Sequence, residues 1–528
     1  MQIVNLTIIV VLLAALAMLV QNYLFKKVSV NYISFALGML ITLVPTFNFS
    51  FNPEFFMGII IAPLLFFEGQ QNRIYSIARS WRSIVSITVV MIIIATAAGT
   101  LGLKWLFGLS FPVSLILAAI STPTDATATE SVIHGLKIPA SVNKYLKNES
   151  LFNDASGIIL LNMGVSWYTF KHLEVWHTFV DFLYSAGGGI ILGLVFSFVL
   201  ILLRQKIMRL SGYFSNENFT TMTPIVVIYI LTPIILYYLA EHIHVSGIIA
   251  VVVAGLAHNA EFERSKLTDV YNIYNDFQIS HILSEILNSV VFIGLGTNIV
   301  LATRGNLLPN RIDLAIEVGV LLYVVNILVR YAYSCLVLKL SNKDAWIFSL
   351  GGIHGAVTYA LAYTLDNTLV SVNNFHLVLF SEATLILLSM IVPTFLFRFI
   401  LPKDKPDIEK KKVIDQVKEE MVNYALAELD KIYLPKKFRK QLIFDLHAQI
   451  NETSIEDFLR ELKKSIKQPE LTPEEHEFRD EIYRYAFRLE RNYLGQIAQK
   501  EQEYRSGFLT LYREILLAEV LYLHSDEE

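Results

Sequence analysis

The chain has 528 residues, of which 54% are hydrophobic and 17% charged, with a mean hydropathy of +0.50, and this composition excludes an ordinary set of soluble domains. The formal net charge of −4 averages an apolar body with a charged C-terminal end, so it points to no nucleic acid or other polyionic partner. The single cysteine, Cys335, excludes intramolecular disulfides and, lying in an apolar run, reads as packing.

Up to about residue 402, apolar runs of roughly 20 residues recur, each long enough to cross about 30 Å of hydrocarbon. The first, Ile3 to Leu24, resembles a secretory signal in carrying Ala15-Leu16-Ala17, a small-residue cleavage pattern. It lacks a basic leading region and its apolar run continues, so it reads as an uncleaved span. Further candidate spans fall at 28–46, 53–72, 83–107, 110–134, 145–170, 177–203, 219–240, 243–259, 280–302, 312–338, 345–366 and 375–401, about thirteen in all.

Basic residues in the short loops give the orientation. One side receives Lys26, Lys27, Arg73, Arg79, Arg82, Lys137, Lys144, Lys147, Arg204, Lys206, Arg209, Arg264, Lys266, Lys339 and Lys343. The other receives only Lys104, Lys171, Arg304 and Arg311. The richer side is the cytoplasmic one, which predicts an external N-terminus and an internal tail. The alternation never reverses along the chain, and a missed span would have reversed it.

The fifth span carries Ser121-Thr122-Pro123-Thr124-Asp125. Pro123 removes a backbone donor and disrupts the helix, freeing carbonyls that, with the threonine hydroxyls, are hard oxygen ligands for a small cation. Asp125 supplies a carboxylate; its plainer role is to cap the broken helix end. The sixth span contains Asn148-Glu149-Ser150-Leu151-Phe152-Asn153-Asp154, where carboxylates, a hydroxyl and amides occupy a stretch that should be apolar. Ionisable residues inside a membrane are costly and face a partner, a cavity or an ion path. On a continuous helix Ser150, Asp154 and Gly157 form one stripe and Glu149, Asn153 and Ser156 the next. Asp154 and Ser150 then point at the same small cation, while Glu149 reaches sideways for a basic partner. Burial disfavours a bare carboxylate at Asp154, and either a proton or a bound cation neutralises it. Competition between the two for one carboxylate is the physical basis of exchange.

Arg330, deep in the eleventh span, needs an anion, and Glu149 is the natural one. His354, in Gly351-Gly352-Ile353-His354-Gly355-Ala356, is a candidate for pH modulation, with hydrogen bonding in a tight helix crossing as the plainer role. Glu241-His242-Ile243-His244 is no metal site, because histidines two apart on a helix do not share a face. Glu382, in the last span, has no partner that the sequence names.

The halves echo one another. Phe66-Phe67-Glu68-Gly69-Gln70-Gln71-Asn72 at the end of the third span is weakly echoed by Phe292-Ile293-Gly294-Leu295-Gly296-Thr297-Asn298 in the tenth, and the Pro-broken fifth by the Gly-rich twelfth. Interrupted spans at corresponding places in two halves point to a transport site built from broken helices, and an offset of seven spans inverts the second repeat. From Lys403 the composition turns charged and helix-forming. Thr453-Ser454-Ile455-Glu456 and Thr472-Pro473-Glu474-Glu475 read as helix starts, and no heptad persists, so packed helices are expected in a soluble regulatory tail over 403–528.

Together, Ser121-Thr122-Pro123-Thr124-Asp125, Glu149-Ser150-Leu151-Phe152-Asn153-Asp154, Arg330 and the Gly351–Ala356 segment resemble the NhaP/NHE-type branch of the monovalent cation:proton antiporter family. Ala126 stands where that family often has proline, and His354 where it often has arginine. The resemblance covers residues 1–402 and implies an all-α membrane protein. Its helices form inverted repeats with crossed broken helices in the fifth and twelfth spans, a homodimer and elevator-like alternating access. It further implies a sodium site at Asp154, Ser150, Asp125 and Thr124 with Asn153 beside them, a structural pair Glu149–Arg330, and electroneutral exchange. The expected protein is an antiporter of the cell membrane, taking sodium, with potassium or lithium as further substrates, and using no cofactor. A cation channel would need a continuous polar pathway, whereas the polar residues concentrate near one level. A different cation-coupled symporter stays open as an alternative, although no pocket for an organic solute is evident. An intramembrane aspartyl protease would need Gly-x-Gly-Asp, and the nearest match, Gly294-Leu295-Gly296-Thr297, lacks the acid.

Overall fold

The computed structural model describes residues 2–25, 28–43, 52–172, 175–214, 222–265, 270–304, 309, 311–365, 370–403, 407–450, 456, 460, 472–500 and 505–524. The chain divides into two units, Met1–Pro402 and Lys403–Glu528.

The first unit opens with α1 (Gln2–Tyr23) and α2 (Val30–Ile41). The short α3 (Pro53–Phe56) passes through a π turn at Met57–Ile61 into α4 (Ala62–Gln70). Asn52 caps α3 by accepting from the Phe55 N–H at 3.0 Å, and Pro53 sits at the first helical position, where a missing N–H costs nothing. Next come α5 (Ile74–Arg79) and α6 (Trp81–Val85), a second π turn at Ser86–Met91, and α7 (Ile92–Phe107). Gly108, at φ +66°, ends α7 in the left-handed region that glycine adopts without strain.

The fifth predicted span is two helices, α8 (Phe111–Ile120) and α9 (Ala126–Val132), separated by an unwound segment around Pro123. The sixth is likewise interrupted: α10 (Ala140–Ser150) ends two residues before α11 (Asn153–Phe170) begins. That corrects the expectation of one continuous stripe through Ser150, Asp154 and Gly157. The long helices α12 (Val175–Phe214), α13 (Met222–His242), α14 (Gly247–Ser265), α15 (Val270–Arg304) and α16 (Ile312–Leu336) follow. The twelfth span is again broken, into α17 (Asn342–Leu350) and α18 (Ala356–Thr364), before α19 (Val372–Ile400). Among the described residues, six stretches are long and apolar enough to cross a membrane: Trp81–Phe107, Val180–Ile207, Pro224–His242, Asp276–Leu301, Ile312–Leu336 and Val372–Ile400.

Packing sorts these helices into two bundles. In one, α2 lies on α1 and α15, and α14 lies on α4, α12 and α13. In the other, α16 lies on α7, α17 and α19, and α8 lies on α7 and α11. Small residues let backbones touch at the α2–α15 crossing, where a side chain on Gly38 or Gly296 would overlap the carbonyls of Ile293 or Phe35.

Among its described residues, the second unit contains α20 (Asp407–Leu429), α21 (Lys436–Gln449), α22 (Pro473–Lys500) and α23 (Arg505–His524). Their shared core includes Met421, Val422, Leu442, Leu446, Ala486, Phe487 and Phe508. Thr472 starts α22 as a reciprocal capping box: its hydroxyl accepts from the Glu475 N–H at 3.3 Å, and its own N–H donates to the Glu475 carboxylate at 3.1 Å. The other expected start, at Thr453, lies outside the described residues.

Candidate ion-binding site

The two unwound segments, 121–125 and 351–355, cross inside the second bundle and satisfy one another. The Asp125 N–H donates to the Ile353 carbonyl at 2.7 Å. His354 Nδ1–H donates to the Pro123 carbonyl at 2.7 Å, which the Thr358 hydroxyl also reaches at 3.2 Å. Thr129 Oγ1 donates to the Gly351 carbonyl at 2.9 Å, and Asn326 Nδ2 to the Ser121 carbonyl at 2.9 Å. Backbone freed by breaking a helix must find partners in a low-dielectric interior, and each segment supplies the other's. His354 is thus a buried clamp between the two crossed segments.

Asp125 caps α9. Its Oδ1 accepts from the N–H groups of Thr127 at 2.8 Å and Ala128 at 3.1 Å and from the Thr127 hydroxyl at 2.7 Å. A carboxylate at a helix N-terminus also meets the positive end of the helix dipole. Gly355 is required at the crossing, since any Cβ there would overlap the Asp125 carboxylate.

The interruption in the sixth span places Ser150 and Asp154 on different helices. Ser150, last residue of α10, accepts the Ala126 N–H at 2.8 Å and so joins Asp125 in capping α9. Asn153 and Asp154 lie in the first turn of α11, both fully buried at 0% and 2% exposure. Asn153 Nδ2 donates to the Thr124 hydroxyl at 2.8 Å, which fixes the amide so that Asn153 Oδ1 is its free end. Neither Asn153 Oδ1 nor Asp154 Oδ1 has a hydrogen-bond partner among the described residues. Asp154 and Asp125 are close enough to act on each other electrostatically. Gly157 lets α11 pass against the Pro123 ring. The crossing therefore brings Asp154, Asp125, Asn153, Thr124 and Ser150 into one oxygen-rich locus.

Glu149 and Arg330 form a buried bidentate pair outside that locus. Arg330 Nη2 donates to Glu149 Oε2 at 3.0 Å and Nη1 to Oε1. Nη2 also donates to the carbonyl of Phe348 at 3.0 Å and Nε to that of Ser349 at 3.3 Å, and Cζ lies 4.5 Å from the Phe348 ring centroid. Gly352 makes room for the guanidinium, which any Cβ there would overlap. The planar fork uses a carboxylate, two carbonyls and a ring face at once, which lysine could not do.

Sequence reasoning missed three contributors. Glu68 in α4 feels the charges of both Asp125 and Asp154, and of Glu130 and Lys147. Its position at the polar end of an apolar span was the available signal. Asn326 and Thr127 complete the crossing, but nothing in the sequence distinguishes them from other polar residues in helices.

The chain has clear relatives. A family model described as sodium/hydrogen exchanger, transmembrane, matches residues 8–403. The sodium, potassium, lithium and rubidium/H(+) antiporter of Bacillus pumilus is 26% identical over 449 residues, covering 80% of this chain and 65% of that protein. The protein of the same name from Bacillus subtilis is 28% identical over 414 residues, covering 73% and 60%. The match thus spans less than two thirds of either relative's length. Among solved structures, the sodium proton antiporter MjNhaP1 of Methanocaldococcus jannaschii aligns with a TM-score of 0.59 at 19% identity, covering 76% of this chain and 98% of that one, a likeness of fold. With a family model matched across nearly all of the membrane-type unit, the chain belongs to the sodium/hydrogen exchanger family.

Proposed function

We propose that this chain is a secondary antiporter that exchanges a monovalent cation for protons by alternating access, with sodium as the main substrate and potassium and lithium as further ones. The observation that carries the reading is the charge arrangement at the crossing. Arg330 is consumed by Glu149, while Asp154 is buried beside Asp125 with one carboxylate oxygen unpartnered. A bare carboxylate there is costly, so a proton or a cation must neutralise it.

Asp154 is the group that gives up its proton when the cation arrives. Asp125, held by three donors at one oxygen, keeps its charge and stays in place. Thr124, Ser150 and Asn153 Oδ1 add neutral hard-oxygen ligands suited to sodium. One titrating acid per site makes the exchange one-for-one and electroneutral. The protein would sit in the cell membrane as a homodimer, with the N-terminus outside and the helical unit over 403–528 in the cytoplasm as a regulatory tail.

Proteoliposomes with an imposed pH gradient test this directly. Sodium, potassium and lithium are added separately, with and without a potential clamp. Collapse of the gradient on cation addition, at a rate unchanged by the clamp, is expected. Clamp-sensitive collapse would contradict electroneutrality, and cation flux without proton movement would replace the antiporter with a channel or symporter.

A further inference from the structure

Resting on that reading, alternating access requires the two bundles to shift against each other, so hydrogen bonds between them must break in each cycle. Two such contacts lie side by side on α2. Asn31 Nδ2 donates to Ser131 Oγ on α9 at 2.7 Å. The next residue, Tyr32, shares a hydrogen bond of 2.6 Å with Thr394 Oγ1 on α19. Both α9 and α19 belong to the bundle that carries the ion site, whereas α2 packs on α1 and α15 in the other.

The Asn31 contact leads back to the site. Ser131 donates its own hydroxyl proton to the Thr127 carbonyl at 2.7 Å, and Thr127 donates both N–H and O–H to Asp125. The seven-residue helix α9 is thus a rod of about 10 Å, with the Asp125 carboxylate capping one end and the tether to α2 near the other. Thr129 pins its middle to Gly351, so the rod moves together with the crossing. A displacement of Asp125 is transmitted to Ser131, and release of Ser131 frees the cap.

We propose that Asn31 is a positioning residue whose hydrogen bond to Ser131 tethers the ion-carrying bundle in one end state of the transport cycle, with Tyr32–Thr394 as a second, independent tether. Neither Asn31 nor Tyr32 touches the ion. Each shifts the balance between the two access states, and therefore the apparent affinity seen from each face.

The test is exchange in proteoliposomes of known orientation, with cation titrated from one face and then from the other. Wild type is compared with Asn31→Leu, Ser131→Ala, their double variant, Tyr32→Phe and the conservative Asn31→Gln. Loss of one neutral hydrogen bond should move the state equilibrium about fivefold. Apparent affinity should then weaken from one face and strengthen from the other in Asn31→Leu and Ser131→Ala. The double variant should match either single one, Tyr32→Phe should add to Asn31→Leu, and Asn31→Gln should restore part of the effect. Affinities that stay unchanged, or that move in the same direction from both faces, would overturn the tether, as would simple additivity of the Asn31 and Ser131 changes. Lower protein yield with unchanged sidedness would mark a merely structural contact. If wild type itself shows no cation-dependent proton movement, the antiporter reading fails instead.

Discussion

Asp154 and Glu149 are two acids five positions apart in the same segment, both buried, and their surroundings give them opposite duties. Glu149 meets a guanidinium that is held in place by the carbonyls of Phe348 and Ser349, so the acid is a fixed partner of Arg330. Removing one partner strands the other: Glu149→Gln or Arg330→Gln should each lower stability by roughly 3–5 kcal/mol, read as thermal unfolding of the purified protein. Arg330→Lys should fail to restore stability, because an ammonium cannot replace the fork. The double change Glu149→Gln with Arg330→Gln should cost less than the two single losses added together, and strict additivity would show that the pair is not coupled. The acids Asp125 and Asp154 and the contact between Glu149 and Arg330 were legible from residue type alone, because a carboxylate or guanidinium inside an apolar span is too costly to stand there without an ion or a counter-charge to meet. Glu68 was not, since an acid near a span's end reads as a solvated terminus, and only the fold carries it toward Asp125 and Asp154.

At the scale of elements, the decisive features are the breaks. Those at Pro123 and at Gly351–Gly355 announce themselves through residues that end helices. The break between Ser150 and Asn153 does not, because Leu151 and Phe152 are ordinary helix residues. Its cause is tertiary: Ser150 is drawn to the Ala126 N–H and Asn153 to the Thr124 hydroxyl, contacts that no periodicity encodes. The crossing itself depends on a missing side chain. Gly355→Ala should push the two segments apart at Asp125, weakening apparent cation affinity by about tenfold or more while costing ~1–3 kcal/mol of stability. Cation titration of exchange in the variant checks this; wild-type affinity would mean that the segments separate without cost.

The whole molecule joins a membrane-type unit to a charged helical one, and the second has a pH response of its own. Burial pushes the Glu490 carboxyl in α22 up to about 7, against the opposing pull of Gln449, Lys418 and Arg491. The folded unit then holds a proton that the unfolded chain releases at about 4.5, so the folded state binds more protons and stability falls as pH rises between about 4.5 and 7. Over that window the loss is on the order of 3 kcal/mol, beginning at the lower value and complete at the upper. Hydrogen exchange of α22 amides in the intact protein, corrected for intrinsic rates, should lose protection across this range in wild type and stay flat in Glu490→Gln. Equal slopes in the two proteins would place the proton elsewhere.

The central claim is that one buried carboxylate trades a proton for a cation, and the most direct measurement is the number of protons released per sodium bound. Calorimetric titration of the purified protein in buffers of different ionisation enthalpy gives that number. About one proton per sodium is expected near the pH where both ligands compete, and no sodium-linked release in Asp154→Asn. Sodium binding without proton release in wild type, or release that survives Asp154→Asn, would contradict it.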